Sequence, residues 1–374
     1  MPTISTLDAA PGSDLVRRSR FVRLGARFGG ARFRAPSQRS VALAALLAVA
    51  YLVLPFAADD YWFSAILIPL LVLSLAGLGL NLLTGYAGQL SLGSAAFMAV
   101  GAFAAYNFQL RVPGLPLLVS LLLGGATAAL VGVCFGLPSL RIKGFYLIVS
   151  TLAAQFFVQW TLTKFGWFSN YSASGVITAP PLVVAGQDFG SPVGRYLLTL
   201  SIVSVLTLAA FNLVRSPTGR SWMAVRDMDT AAAVIGIPIF RSKVLAFAVS
   251  SFYCGIAGAL WAFAYLGTVE PHGLDLNRSF QILFIVIIGG LGSISGAFLG
   301  AAFVVLLPIV LDNVVATYLS SVVDAGNTEN LQKVVLGSLI LFFLIKEPEG
   351  LSRLVAVLWT KLRAYAARLG AVSS

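Results

Sequence analysis

Hydrophobic residues in this chain come in long runs rather than in the stripes of a water-facing amphipathic helix. No charged side chain interrupts Tyr61 to Leu110, Val112 to Leu140 or Tyr196 to Val214. A helix crossing a hydrocarbon core of roughly 30 Å takes about 20 residues, and these runs are that long. They do not alternate polar and apolar residues as outer-membrane strands do. The pattern predicts an all-α integral membrane protein, a polytopic helical bundle of about 8–10 transmembrane helices with glycine-broken helices. The spans fall at residues 41–58, 62–83, 88–108, 115–137, 144–163, 195–214, 243–268, 279–291, 296–311 and 331–346. If 279–291 and 296–311 form one glycine-broken hairpin, the count becomes eight full crossings plus re-entrant pieces.

Composition agrees: 58% of 374 residues are hydrophobic and 10% are charged. The formal net charge of +11 does not point to nucleic acid, because the cations sort by membrane side. Twenty of the 25 Lys and Arg lie in the amino-terminal arm, at Arg141 and Lys143, from Arg215 to Lys243, or in the tail. The loops of opposite parity hold Arg111, Lys164, Arg195, Arg278 and Lys333, together with acids such as Asp59, Asp60, Glu270 and Asp275. Both termini are therefore expected in the cytoplasm. The domains follow: a basic arm at 1–40, a permease domain at 41–346 and a basic tail at 347–374. An external loop occupies 164–194 and a cytoplasmic loop 215–243. Arg17-Arg18 is not an export signal, since the apolar run starts only near Val41; the arm suits anionic lipid.

Within this apolar setting "LTGYAGQLSLGSAAF", Leu83 to Phe97, is unusual. Thr84, Gly85, Gly88, Gln89, Ser91, Gly93 and Ser94 suit a broken helix whose backbone faces a cavity, since irregular backbone at membrane depth must be satisfied by protein or water. A weak echo follows in "IGGLGSISGAFLGAAF", Ile288 to Phe303, giving Gly289, Gly290, Gly292 and Ser293 as further path candidates. Gly101 and Gly300 read better as close helix contacts. Cys134 and Cys254 read as small buried hydrophobes, and the single histidine, His272, as a loop residue. No catalytic or metal-binding cluster appears, and no GxxxxGK[ST] loop, so the chain is read as neither an enzyme nor an ATPase. The span interiors contain no Asp, Glu, Lys, Arg or His, which disfavours a proton-coupled carrier. In the cytoplasmic loop, Pro217-Thr218-Gly219 signals a turn and Ser221 to Ile235 a short helix ended by Gly236 and Pro238.

Four ordered segments, "LNLLTGYAGQLSLGSAAFMAVGAFAA", "FYLIVSTLA", "RDMDTAAAVIGIPIFRSKVLAFAVSSFYCGIAGAL" and "IIGGLGSISGAFLGAAF", closely resemble the inner-membrane permeases of bacterial branched-chain amino acid ABC importers, the Liv system. Their order resembles the second of that system's two permeases. The resemblance implies a second homologous permease subunit, two cytoplasmic ABC ATPases that bind ATP and magnesium, a periplasmic solute-binding protein and a bacterial inner membrane. It implies no cofactor in this chain. It also makes the cytoplasmic helix a coupling helix, with Arg226, Asp227, Asp229, Ala231, Ala232 and Gly236 at the ATPase contact. Of the E-A-A-x-x-x-G pattern found in such permeases, Ala231, Ala232 and Gly236 match, Thr230 replaces the acid, and the later Ile-x-Leu-Pro part is absent. The external Tyr171 to Val176 departs from the glycine-rich segment of relatives. Substrate therefore stays open among branched-chain and other neutral amino acids, amides, urea and carboxylic acids. The alternative from another class is an ATP-independent channel or facilitator for a small neutral solute such as urea or an amide, which leaves the loop helix without a role.

Overall fold

A computed structural model of the chain describes residues 47–140, 146–172, 175–184 and 186–314, with short pieces between 317 and 357. The arm at 1–40, most of the tail and the predicted span at 331–346 lie largely outside the described residues. Residues 1–57 form one unit, of which helical turns at Val49–Val53 and Leu54–Ala57 are described. All that follows concerns the second unit.

Its helices are α1 (Trp62–Tyr86), α2 (Ser94–Arg111), α3 (Leu117–Leu140), α4 (Tyr146–Lys164), α5 (Pro192–Arg215), α6 (Pro217–Asp227), α7 (Asp229–Val234), α8 (Ile239–Leu266), α9 (Leu276–Gly289) and α10 (Ile294–Val314). By length and composition α1, α3, α5, α8 and α10 are able to cross a membrane. Hydropathy does not separate centre from periphery among them, because lipid is as apolar as a protein interior. Burial does: 89% of the α1 window is buried and 72% of that of α8, against 28% for α5. Cys254 on α8 is buried as expected, whereas Cys134 on α3 is exposed and lines a cavity with residues of α2 and α4. His272 is exposed in a short 3₁₀ turn.

Glycine sets how closely the central helices approach. A Cβ at Gly258 would stand 1.9 Å from the Met98 carbonyl oxygen, and one at Gly101 2.2 Å from that of Gly255, so α2 and α8 touch backbone to backbone. Gly300 meets the Ile285 carbonyl in the same way, so Gly101 and Gly300 are packing glycines as predicted.

Several sequence expectations need correction. The span at 88–108 begins six residues later, at Ser94, because Ala87 to Gly93 form an irregular, non-helical segment. The segment at 279–291 is a 14-residue helix, about 21 Å long and short of a full crossing, and it starts early enough to include Arg278. The loop helix at Ser221 to Ile235 is two helices, broken at Met228, whose backbone is extended (φ −158°, ψ 101°). Pro217 to Gly219 are the first turn of α6, with the Ser216 hydroxyl accepting from the Gly219 N–H. The loop at 164–194 carries strands that periodicity did not announce. β1 (Ile177–Thr178) pairs antiparallel with β4 (Thr268–Val269), and β2 (Val183–Val184) with β3 (Gln187–Asp188).

Candidate functional site

Two units of the fold share one plan and run in opposite directions. In each, a central helix (α1, α8) closes in a π-helical turn, Leu82–Tyr86 or Trp261–Leu266. A largely irregular segment follows, and a second helix (α2, α9) begins beyond it. Such turns widen the backbone spiral and recur at functional positions. The internal echo in the sequence paired different segments, but the structure brings those segments into contact.

That contact is centred on Asn81, one residue before the π turn of α1. Its Nδ2 donates to the Ser293 carbonyl at 2.7 Å and its Oδ1 accepts from the Gly292 N–H at 2.9 Å. A Cβ on Gly85 would stand 2.3 Å from the Gly292 nitrogen, so the two predicted glycine motifs meet with no room for a side chain. Gly290 and Gly292 hold left-handed conformations (φ 109° and 74°) that turn the chain from α9 into α10. The turn is tight: a Cβ on Gly289 would stand 2.1 Å from the Gly296 carbonyl oxygen, while the Ser293 hydroxyl accepts from the Gly296 N–H.

Arg226, at the end of α6, closes the assembly. Its Nη1 donates to the Gly85 carbonyl at 2.7 Å, its stem lies against Gly88, and its Nε and Nη2 engage the Asp227 carboxylate. The predicted ATPase-facing arginine thus reaches back to the break in α1. Asp229 lies 3.9 Å from the Lys243 ammonium. Ala232 is buried, Ala231 exposed, and Gly236, left-handed at φ 85°, ends α7 while the Ile237 N–H donates to the Ala232 carbonyl. Met228, Val234 and Ile235 are left exposed, Val234 at 88%.

Beyond Gly88 the chain is held by polar side chains. Thr84 Oγ1 donates to the Gln89 carbonyl, and Gln89 Nε2 reaches the Lys243 carbonyl at 3.4 Å. The Ser91 hydroxyl accepts from the Gly93 N–H, and Ser94 opens α2 as a buried residue. The first N–H groups of a helix have no intrahelical partner. Around the start of α2 they find partners on other helices: Leu92 N donates to Thr151 Oγ1, Ala95 N to Ser279 Oγ and Ala96 N to Gln155 Oε1. Gln155 also accepts from the Ser279 hydroxyl, and its Nε2 donates to the Leu274 carbonyl just before α9. The starts of the two helices are thereby joined through one fully buried amide. Gln155→Leu would leave an N–H, a hydroxyl and a carbonyl unpaired, each costing about 1–3 kcal/mol. Expected is a sharply shortened half-life at elevated temperature in detergent, measured by the loss of monodisperse protein.

The predicted path residues therefore fall into a joint (Gly85, Gly88, Gly289, Gly290, Gly292, Ser293) and a strap (Thr84, Gln89, Ser91, Gly93, Ser94). Neither of two cavities found in the molecule is lined by them. Asn81, Thr151, Gln155 and Ser279 went unnoticed in the sequence, and Arg278 was placed in an external loop. The available signal was a lone amide or hydroxyl inside a long apolar run, where an unpaired polar group is costly.

Comparison with known proteins matches residues 62–344 to a family described as the permease component of branched-chain amino acid transport systems. Among curated relatives, the high-affinity branched-chain amino acid transport system permease protein LivM of Salmonella typhimurium is 32% identical over 301 residues. Its counterpart in Escherichia coli gives the same identity over the same length. Each match covers 74% of this chain and 66% of the relative, just under two thirds of the relatives' length. The autoinducer 2 import system permease protein LsrC of an Enterobacter species is 28% identical over 206 residues, 53% of this chain and 57% of that protein. No solved structure matches. With most of its length matched and a multi-pass helical architecture around the shared segments, the chain belongs to the family of branched-chain amino acid transport permease components.

Proposed function

We propose that this chain is a membrane-spanning subunit of an ATP-driven importer of branched-chain or related neutral amino acids in a bacterial inner membrane. It would form the path with a second, homologous permease, take solute from a periplasmic binding protein, and be driven by two cytoplasmic ATPases that carry ATP and magnesium. The observation that carries this reading is the α6–α7 pair, tied through Arg226 to Gly85 and presenting exposed Val234 and Ile235. That end of the bundle holds Arg215, Arg220, Arg226, Arg241 and Lys243, which supports a cytoplasmic position. An exposed apolar patch on a water-facing loop suits a protein partner.

The mechanism follows from that geometry. An ATPase closing on α6 and α7 displaces Arg226, and with it the Gly85 carbonyl and the glycine contact with Gly292. The joint is built of backbone and one guanidinium, so it relays displacement and needs no titrating group. The strap from Gly88 to Gly93 carries the movement to the start of α2, and the bundle rocks between outward-open and inward-open states. None of the relatives reported above is named as an ATP-independent channel, and a channel would leave α6 and α7 without a function.

The test is purification through a carboxy-terminal tag from the native host, with mass spectrometry of what accompanies the chain. A second permease and an ATPase are expected. Val234→Glu with Ile235→Glu, both surface changes, is expected to lose the ATPase and keep the permease. Recovery of the chain alone, passing leucine in ATP-free liposomes, overturns the proposal.

A further inference from the structure

Arg278 has a setting that the charge inventory of the sequence did not anticipate. It occupies the first turn of α9, where the Asp275 carboxylate accepts from its backbone N–H at 3.1 Å. The preceding Leu274 carbonyl is bonded to Gln155, ten residues into α4, so this turn is tied to the bundle, with Arg278 half-buried beside the exposed Asn277. The guanidinium carbon stands 4.3 Å from the centre of the Trp261 ring, and Nη1 donates to Gln281 Oε1 at 2.5 Å. The ion pairs of Arg226 with Asp227 and of Lys243 with Asp229 do not involve it. A half-buried cation against a transmembrane bundle is costly, and the cation–π contact with Trp261 together with one amide acceptor offsets only part of that cost.

The side chain lines a cavity of about 300 Å³ between α1, α8, α9 and α10. Three features of the lining converge. Arg278 presents a planar fork of N–H donors of which one is engaged, the arrangement that matches a carboxylate in two parallel hydrogen bonds. Trp261, 4% exposed, also lines the cavity and has no acceptor for its indole N–H. Glu270 supplies the opposite charge on the same wall, its carboxylate folded over Gly273 so closely that a Cβ there would stand 2.7 Å from Oε1. Facing these are Leu73, Val304 and Ile309. A hollow of this size, polar on one side and aliphatic on the other, fits a compact ligand with charged groups at one end and an apolar body.

We propose that this cavity binds an aliphatic α-amino acid: Arg278 takes its carboxylate, Glu270 its ammonium, and the aliphatic side chain lies against Leu73, Val304 and Ile309. The site rests on the importer reading for its place on a transport route. Its recognition chemistry is tested separately.

The experiment measures equilibrium binding of radiolabelled L-leucine to the purified full chain with its partner subunits in nanodiscs, without binding protein. Competitors are 4-methylpentanoate, which keeps the carboxylate and lacks the ammonium, and 3-methylbutylamine, which does the reverse. Saturable leucine binding is expected, weakened at least tenfold by Arg278→Gln and partly restored by Arg278→Lys. Glu270→Gln is expected to weaken leucine while leaving competition by 4-methylpentanoate unchanged, and this variant decides the matter if Arg278→Gln fails to fold. No leucine binding by the wild type, or equal binding by folded variants, overturns the site. Binding as expected without ATP-driven leucine uptake in liposomes overturns the importer reading alone; ATP-driven uptake with variants indistinguishable from wild type overturns the site alone.

Discussion

Gly258→Val is expected to abolish recovery of folded protein. The Cβ alone would stand 1.9 Å from the Met98 carbonyl oxygen, with the Met98 carbonyl carbon and Cα also within 2.5 Å. All three are backbone atoms of α2 and have no rotamer to retreat into. The helices must separate by more than an ångström, and that movement also opens the neighbouring Gly101 contact with Gly255. Overpacking a core typically costs about 1–3 kcal/mol, and an obstacle made of backbone belongs at or above the upper end. Between lipid-bathed helices no hydrophobic gain compensates, because association depends on close packing itself. The check is fluorescence-detected gel filtration of a tagged chain in detergent, with Leu130→Ala, at a side chain 67% exposed on α3, expected to elute as wild type. A monodisperse Gly258→Val protein of unchanged thermal stability would refute the packing argument.

Arg226→Ala carries the second large effect, on coupling rather than folding. It removes the hydrogen bond to the Gly85 carbonyl and the stem packed on Gly88, both of which tie α6 to the broken end of α1. In the transporter reconstituted with its partners, uptake is expected to fall at least ~10-fold, about 1.4 kcal/mol, while ATP hydrolysis persists, so that ATP consumed per solute rises. Arg226→Lys is expected to rescue poorly, since one ammonium does not hold both the Gly85 carbonyl and the Asp227 carboxylate as the fork does. Equal loss of hydrolysis and uptake would place Arg226 in ATPase assembly instead.

Spans were readable in the sequence wherever length and hydropathy suffice, and for that reason Trp62 to Tyr86 and Ile239 to Leu266 lie close to their expected limits. The start of α2 was legible only in part: the glycines, Gln89 and Ser91 announced a break, with Gly88 left-handed at φ 68°, but nothing in the segment showed that the helix resumes only at Ser94. Arg278 was placed in a loop because a charge one position ahead of an apolar run looks like one, whereas its contact with the Trp261 ring on α8 is a product of tertiary packing. The break at Met228 has neither glycine nor proline to announce it. Both glycine motifs were visible, yet their meeting was not: Asn81 and Gly292 are 211 residues apart, and no local pattern encodes that bond. The two-residue strands were beyond any periodicity argument.

The capping of α2 by distant side chains has a bearing on biosynthesis. Ala95 and Ser279 are separated by 184 residues, so at ~5–20 residues per second a ribosome needs roughly ten to forty seconds between making one and the other. During that interval the amide at Ala95 lacks its partner, and Gln155 emerges before the Leu274 carbonyl that it later holds. Completion of the core is therefore post-insertional, with water, lipid headgroups or the insertion machinery covering those groups until α9 arrives. A nascent chain stalled before Ser279 would hold several correctly inserted helices and still lack the native centre.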